Sequence, residues 1–366
     1  NAADKGNIDA MFRYASMLYN GEGMRMNKNE ASKLYKIAAD KGNIDAMFRY
    51  ASMLDYGDGI RQDMDEAIPY YKKAADKKHI KAMLRYSMIL YNGEDADIDY
   101  EEAKKYFKIL AEKGNIEAMA MFSLIVFEIG ALKNDRDLAV NYAEISAEEG
   151  NQVGMYVYGR MLRGDKKMIE ANIDEAALYL RESAKKGNEY AMVICGQMID
   201  HGHASLFNIE SSHYYRNAHK ILKRNINNGC FDSMYLYGYM LQNGIGVSAN
   251  NKKAAHYLKI AADKGHTVSM LYYSLLLLNY DCNRKEAARY CKMGADKGDA
   301  DSMNNYGFML NHGVGVAVNE NEAARYYKMA ADRGNIKAMY NYGLMLSRDE
   351  GVAVNKKEAA RYYKMG

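Results

Sequence analysis

The sequence predicts an all-α solenoid of about ten stacked helix hairpins, each about 36 residues long. Three observations carry this. A glycine recurs at Gly6, Gly42, Gly114, Gly150, Gly187, Gly229, Gly265, Gly298 and Gly334, with Lys78 in the slot once; the spacings are 36, 36, 36, 36, 37, 42, 36, 33 and 36 residues. Asn or Asp followed three residues later by Glu opens a periodic run in most units. Within each unit, apolar residues at three- and four-residue spacing define one helical face. Such a unit cannot bury its apolar face alone and must stack on its neighbours.

The elements follow in order within one unit. Asn319 and Glu322 read as a capping box, the asparagine accepting from a free N–H and the glutamate reaching back to the chain. The same pair stands at Asn27/Glu30, Asp63/Glu66, Asp99/Glu102, Asn172/Glu175, Asn283/Glu286 and Asn355/Glu358. A helix follows, with Ala323, Tyr326, Tyr327, Ala330 and Ala331 on one face, and stops at Arg333-Gly334. This is helix B. The chain restarts as helix A, with Ala338, Met339, Tyr342, Gly343, Met345 and Leu346 sharing a face. A glycine-rich turn such as Gly313-Val314-Gly315-Val316 ends it. The acids Asp40, Asp76 and Asp332 beside the terminating Lys/Arg-Gly read as local caps or salt bridges.

Aligning the units gives helix A a small residue at its start, Tyr four positions later (Tyr14, Tyr50, Tyr86, Tyr306, Tyr342), and a second small residue after that. Glycine there, as at Gly307 and Gly343, costs about 1 kcal/mol in a helix interior and implies a close helix crossing. The composite pattern reads Ser302-Met303, Tyr306-Gly307, Met309-Leu310, Gly313-Val314-Gly315-Val316, Asn319, Ala323-Ala324, Tyr326-Tyr327 and Ala330 to Gly334. It resembles the Sel-one-like repeat family, relatives of tetratricopeptide repeats, along essentially the whole chain. The chief departure is tyrosine where that family often has tryptophan in helix B. The resemblance implies a right-handed α/α superhelix and an adaptor role in assembling complexes.

Residues 1–366 thus read as one solenoid with irregular units at 187–229 and 265–298. The chain opens without methionine inside a repeat and stops inside a helix, so it reads as part of a longer protein. Lys78 must take a left-handed conformation or end its helix differently, and Pro69 inside a helix B marks a candidate kink. The window from 187 to 229 holds His201, His203, His213 and His219 near Cys195 and Cys230, but without metal-ligand spacing. It reads as a longer loop with exposed histidines, and no metal or cofactor is assigned. The shorter unit loses its glycine turn at Leu278 to Asp281.

Lys plus Arg number 50 against 47 Asp plus Glu, which leaves no basic footprint for nucleic acid. No apolar run reaches the length of a membrane span. Cys195, Cys230, Cys282 and Cys291 do not recur with the repeat, as disulfides stapling a secreted solenoid would; this favours the cytoplasm over the ER lumen. With no nucleophile elbow, strand-borne phosphate loop or HExxH, the chain reads as non-enzymatic.

The functional expectation is a protein–protein interaction scaffold holding a peptide or protein segment along the concave face of helix A. The alternative is a regulatory or substrate-recruiting region of a larger enzyme, such as a kinase or ubiquitin-ligase complex. A helical wheel turns one side of helix A away from the stack, and its residues are expected to face water. On it stand Phe12, Phe48, Leu84, Met88, Tyr156, Tyr235, Tyr239, Leu271 and Tyr340, an apolar and aromatic set of the kind that marks interaction surfaces. Beside them Arg13, Arg49 and Arg85 form a basic ladder suited to an acidic stretch of peptide.

Overall fold

The computed structural model describes residues 7–93, 96–281, 283–348 and 351–365; Gly6 and Cys282 lie outside the described residues. Twenty α-helices and no strand are found among the described residues. They group into two compact units: the residues up to Asp97 with Glu102–Leu110, and Ile98–Glu101 with the residues from Ala111.

The first unit contains α1 (Ile8–Asn20), α2 (Lys28–Asp40), α3 (Ile44–Tyr56), α4 (Met64–Asp76), α5 (Ile80–Asn92) and most of α6 (Tyr100–Ala111). The second begins with α7 (Ile116–Ile129), α8 (Lys133–Glu148), α9 (Gln152–Leu162), α10 (Ile173–Lys185), α11 (Glu189–Met198) and α12 (Ser211–Asn227). It continues through α13 (Phe231–Asn243), α14 (Asn251–Asp263), α15 (Thr267–Leu276) and α16 (Arg284–Asp296). It ends with α17 (Ala300–His312), α18 (Glu320–Asp332), α19 (Ile336–Arg348) and α20 (Lys356–Met365). Odd-numbered helices are the A helices and even-numbered the B helices, so the expected hairpin solenoid is the fold.

The helix B cap works differently from a capping box. Asn27, Asp63, Asn172, Asn283, Asn319 and Asn355 do accept from the N–H three residues on. The glutamate, however, does not reach the cap's own N–H. That N–H is engaged by the end of helix A: Asn27 N donates to Leu18 O at 2.9 Å, Asp63 N to Leu54 O at 3.1 Å, and Asn319 N to Leu310 O at 2.9 Å. The glutamate instead accepts from the cap's amide, as from Asn27 Nδ2 at 3.0 Å and Asn283 Nδ2 at 2.8 Å. One cap residue therefore starts helix B, closes the hairpin and orients its own side chain.

From the second repeat on, the last glycine of the turn after helix A, where present, packs on the neighbouring repeat, as at Gly59, Gly246, Gly315 and Gly351. Gly315 has φ 73°, and a Cβ there would lie 2.0 Å from Arg284 O, in the first turn of the preceding helix B. Gly351 stands in the same relation to Glu320 O, at 2.3 Å. The helix crossings are as close as the interior glycines imply: a Cβ on Gly343 would lie 2.6 Å from the Tyr363 ring.

The acids at the ends of the B helices do more than cap locally. Tyr70 donates to Asp40 at 2.6 Å, Tyr106 to Asp76 at 2.5 Å, Tyr326 to Asp296 at 3.0 Å and Tyr362 to Asp332 at 3.0 Å, each bond joining successive repeats. A local ion pair with the lysine four residues before coexists at Asp296 and Asp332, at 2.6 and 2.8 Å, whereas Lys36 and Lys72, four before Asp40 and Asp76, pair with Glu66 and Glu102. The same tyrosines meet a helix A tyrosine edge-on, with Tyr306–Tyr326 centroids 5.0 Å apart at 89°. Helix A has its own cap: the side chains of Asn7, Asn43, His79, Asn115 and Asn188 each accept from the N–H three residues on.

Lys78 takes the left-handed conformation, with φ 65°. Pro69 does not break α4, which remains 13 residues long, like α2 and α18. The lost glycine turn after α15 is replaced by a π-helical turn, Leu277–Asp281.

Candidate partner-binding surface

In the first unit, the outward side of the A helices is partly open. Phe12, Phe48, Leu84 and Met88 are half-buried. Phe12 leans on Tyr35 with centroids 5.7 Å apart, and Phe48 stacks on His79 at 4.7 Å. Arg13 and Arg49 are exposed.

Arg85 is not an open rung of the ladder. Its Nε donates to Asp55 Oδ2 at 2.7 Å and its Nη2 to Asp55 Oδ1 at 2.9 Å, a bidentate pair. Tyr71 donates to the same Oδ2 at 3.0 Å. Burial, and then the carboxylate, push the Tyr71 hydroxyl well above the usual phenol range.

One repeat earlier the frame is the same and the acid is missing. Arg49 stands where Arg85 does, Tyr35 where Tyr71 does, and Tyr19 fills the slot of Asp55. Tyr19 turns its hydroxyl to Asp58 at 2.5 Å, and Lys28 pairs with that carboxylate at 2.6 Å. Those two bonds hold the Asp58 carboxyl below the usual carboxylate range. Tyr35 donates to Ser16 Oγ at 3.0 Å. Arg49 is left with no ion pair or hydrogen bond among the described residues. It lines a cleft of about 410 Å3 with Tyr19, Tyr35, Ser52, Tyr56 and Asp58.

The second unit overturns part of the expectation. Tyr156 is only 3% exposed and Leu271 8%, so neither faces water. Tyr235 and Tyr239 are half-buried in an aromatic cluster, with Tyr235–Tyr272 centroids 5.3 Å apart and Tyr239–Tyr272 5.6 Å. The reason is that this unit folds back on itself. Lys297 Nζ donates to Ile98 O at 2.7 Å, Lys166 pairs with Asp301 at 3.0 Å, and the Tyr100 ring lies 6.4 Å from His266. A Cβ on Gly130 would lie 3.0 Å from Ala300 Cβ. Between these contacts the Arg160 guanidinium lies 4.5 Å over the Phe127 ring, bonded to Glu128, to Asp165 at 2.8 Å and to Tyr156 at 2.8 Å. Tyr340 alone of the set in this unit is well exposed, at 57%.

Two histidines of the long unit bond locally and a third packs on a ring. His201 Nδ1 lies 2.6 Å from Gln197 O, His213 Nε2 lies 2.9 Å from Asn217, and His219 packs edge-on against Tyr237. No three His, Cys, Asp or Glu side chains converge among the described residues. Cys195 is fully buried, and burial pushes its thiol up to about 12. Among the described residues no helix is long and apolar enough to cross a membrane.

A family model for the Sel1 repeat matches residues 8–43, 44–79, 80–115, 117–151, 152–188, 231–266, 270–299, 300–335 and 336–366, each full-length match one A/B hairpin. Among solved structures, the chain is similar to c5321, a protective antigen of uropathogenic Escherichia coli strains with an SLR fold. The identity is 21% over 99% of this chain and 77% of that one, with a TM-score of 0.46. It is also similar to a Sel1 repeat protein from Oxalobacter formigenes, with 20% identity, 68% and 96% coverage and a TM-score of 0.42. A human IFIT1 dimer with PPP-AAAA shows 14% identity, 98% and 94% coverage and a TM-score of 0.45. No curated protein matches the chain in sequence.

Proposed function

From the premise that the chain belongs to the Sel1 repeat family, whose members are generally non-catalytic protein–protein interaction scaffolds, we propose that its first unit captures a protein segment along the outward side of α1, α3 and α5. One observation carries this reading. The same helix side that is closed over Tyr156 and Leu271 in the second unit leaves Phe12, Phe48, Leu84 and Met88 half-buried here, beside the exposed Arg13 and Arg49. Half-buried aromatic and aliphatic side chains flanked by cations with no ion pair among the described residues suit a peptide that supplies both apolar and acidic side chains. The formal net charge of +3 gives a nucleic-acid backbone little to grip, so the partner is read as protein, and no reaction is assigned.

The test is affinity capture with the intact chain and with a triple variant, Phe12→Ser, Leu84→Ser and Met88→Ser. A partner that cross-links to a photo-reactive residue at position 52 should be lost from the variant by about tenfold or more. Circular dichroism should report a folded, helical protein in both. Undiminished capture by a folded variant would refute the reading.

A further inference from the structure

Two successive repeats share one frame and differ in one acid. At the second and third repeats, Arg85 and the Tyr71 hydroxyl together hold the Asp55 carboxylate. At the first and second, Arg49 and Tyr35 occupy the same frame, but Tyr19 replaces the acid and swings to Asp58. A cleft of about 410 Å3 opens beside the guanidinium that lost its partner. We infer that Arg49 is a receptor for a carboxylate, supplied by a glutamate or aspartate side chain on an extended partner segment. The chain's own Asp55–Arg85 pair is the template for the bound state.

The chemistry favours a carboxylate over a more highly charged anion. The planar guanidinium fork matches two carboxylate oxygens, as Arg85 already demonstrates. The rim carries Asp58, which is ionised and already paired with Lys28, so a dianionic phosphate meets repulsion there. Phe12 and Phe48, on the same side of α1 and α3, leave room for the apolar neighbours of an acidic residue. The inference rests on the reading that this side of the first unit is where a segment binds.

The experiment follows the Arg49 Nε–Hε resonance of the intact chain during titration with an acetylated, amidated hexapeptide of alternating glutamate and valine. The expected result is a saturable shift whose affinity falls as salt rises from about 0.05 to about 0.5 M. A glutamine-for-glutamate peptide should give none, and Arg49→Met should weaken peptide binding about tenfold or more. Tyr19→Asp supplies an internal acid: it should move the Arg49 resonance toward that of Arg85 and block the peptide. Equal binding by folded Arg49→Met protein, or a Tyr19→Asp variant that leaves Arg49 unmoved, would overturn the inference. So would a larger shift with inorganic phosphate, or binding of the glutamine peptide only when its C-terminal carboxylate is free. Loss of partner capture in the serine variant with a silent Arg49 would sink this inference and leave the proposed binding side standing.

Discussion

Replacing Asp55 by alanine tests the physical basis of the Arg49 argument, because it empties the one carboxylate position that the chain fills for itself. The side chain of Asp55 is 5% exposed and that of Arg85 24%. The change removes two charge-assisted bonds from Arg85 and one from Tyr71, which is 1% exposed. Breaking a buried ion pair from one side costs about 3–5 kcal/mol. Arg85 reaches water in part, which places its share near about 3 kcal/mol. The stranded Tyr71 hydroxyl adds about 1 kcal/mol, for a total near about 4 kcal/mol. Urea unfolding at neutral pH measures the loss, and hydrogen exchange should localise it to α3, α4 and α5, as nearest-neighbour coupling in a repeat array requires. In the Asp55→Ala, Arg85→Ala double variant, about 2 kcal/mol of the loss should be recovered relative to additivity. A destabilisation under about 1 kcal/mol would refute the claim that this pair is a strong internal ligand.

Asp299 caps α17 through Ser302 N at 2.7 Å, and burial pushes its carboxyl up to about 7. A folded-state value above the unfolded one makes its contribution full in acid and lost as pH rises toward about 7. Stability should therefore fall across that window, and Asp299→Asn should flatten the profile in urea titrations at several pH values. Tyr326 and Tyr362 are pushed up to about 12, first by burial. Their contribution should persist below pH about 10 and fade toward pH about 12, and Tyr326→Phe with Tyr362→Phe should reduce that alkaline loss. Gly315→Ala combines a left-handed φ with a backbone clash against Arg284 O and should cost about 3 kcal/mol by calorimetry. Cys195 should resist a thiol reagent in the native protein and react on unfolding.

The sequence carried the hairpin and its period because each repeat restates the same local rules. The Asn27 and Asn319 caps, the glycine stops and the small-residue crossings are local features, and spacing exposes them. The tyrosine–aspartate ladder was equally visible as a fixed interval, from Asp40 to Tyr70 and from Asp332 to Tyr362, but its meaning depends on how one repeat lies on the next. The glutamate of the cap was misassigned because the N–H it was to reach is taken by Leu18 or Leu310 from the preceding helix. The burial of Tyr156 and Leu271 lies beyond periodicity altogether. It depends on Ile98 meeting Lys297, a contact set by rotation accumulated over five repeats. At the candidate site, the arginine ladder was legible and its inequality was not. Arg85 and Arg49 look alike until the acid that answers one of them is found a repeat away.

The hydrogen bond from Lys297 to the Ile98 carbonyl gives the second unit a constraint foreign to linear arrays. Most such proteins lengthen or shorten by whole modules, since every seam is alike and each end is free to fray. Here, deleting one hairpin between Lys166 and Lys297 would rotate Lys297 off its carbonyl and pull Lys166 away from Asp301 at the same stroke. Repeat number in this stretch is consequently pinned by geometry, and the hairpins inside the clasp should open only once it is lost, whereas α19 and α20 lie beyond it and can fray alone.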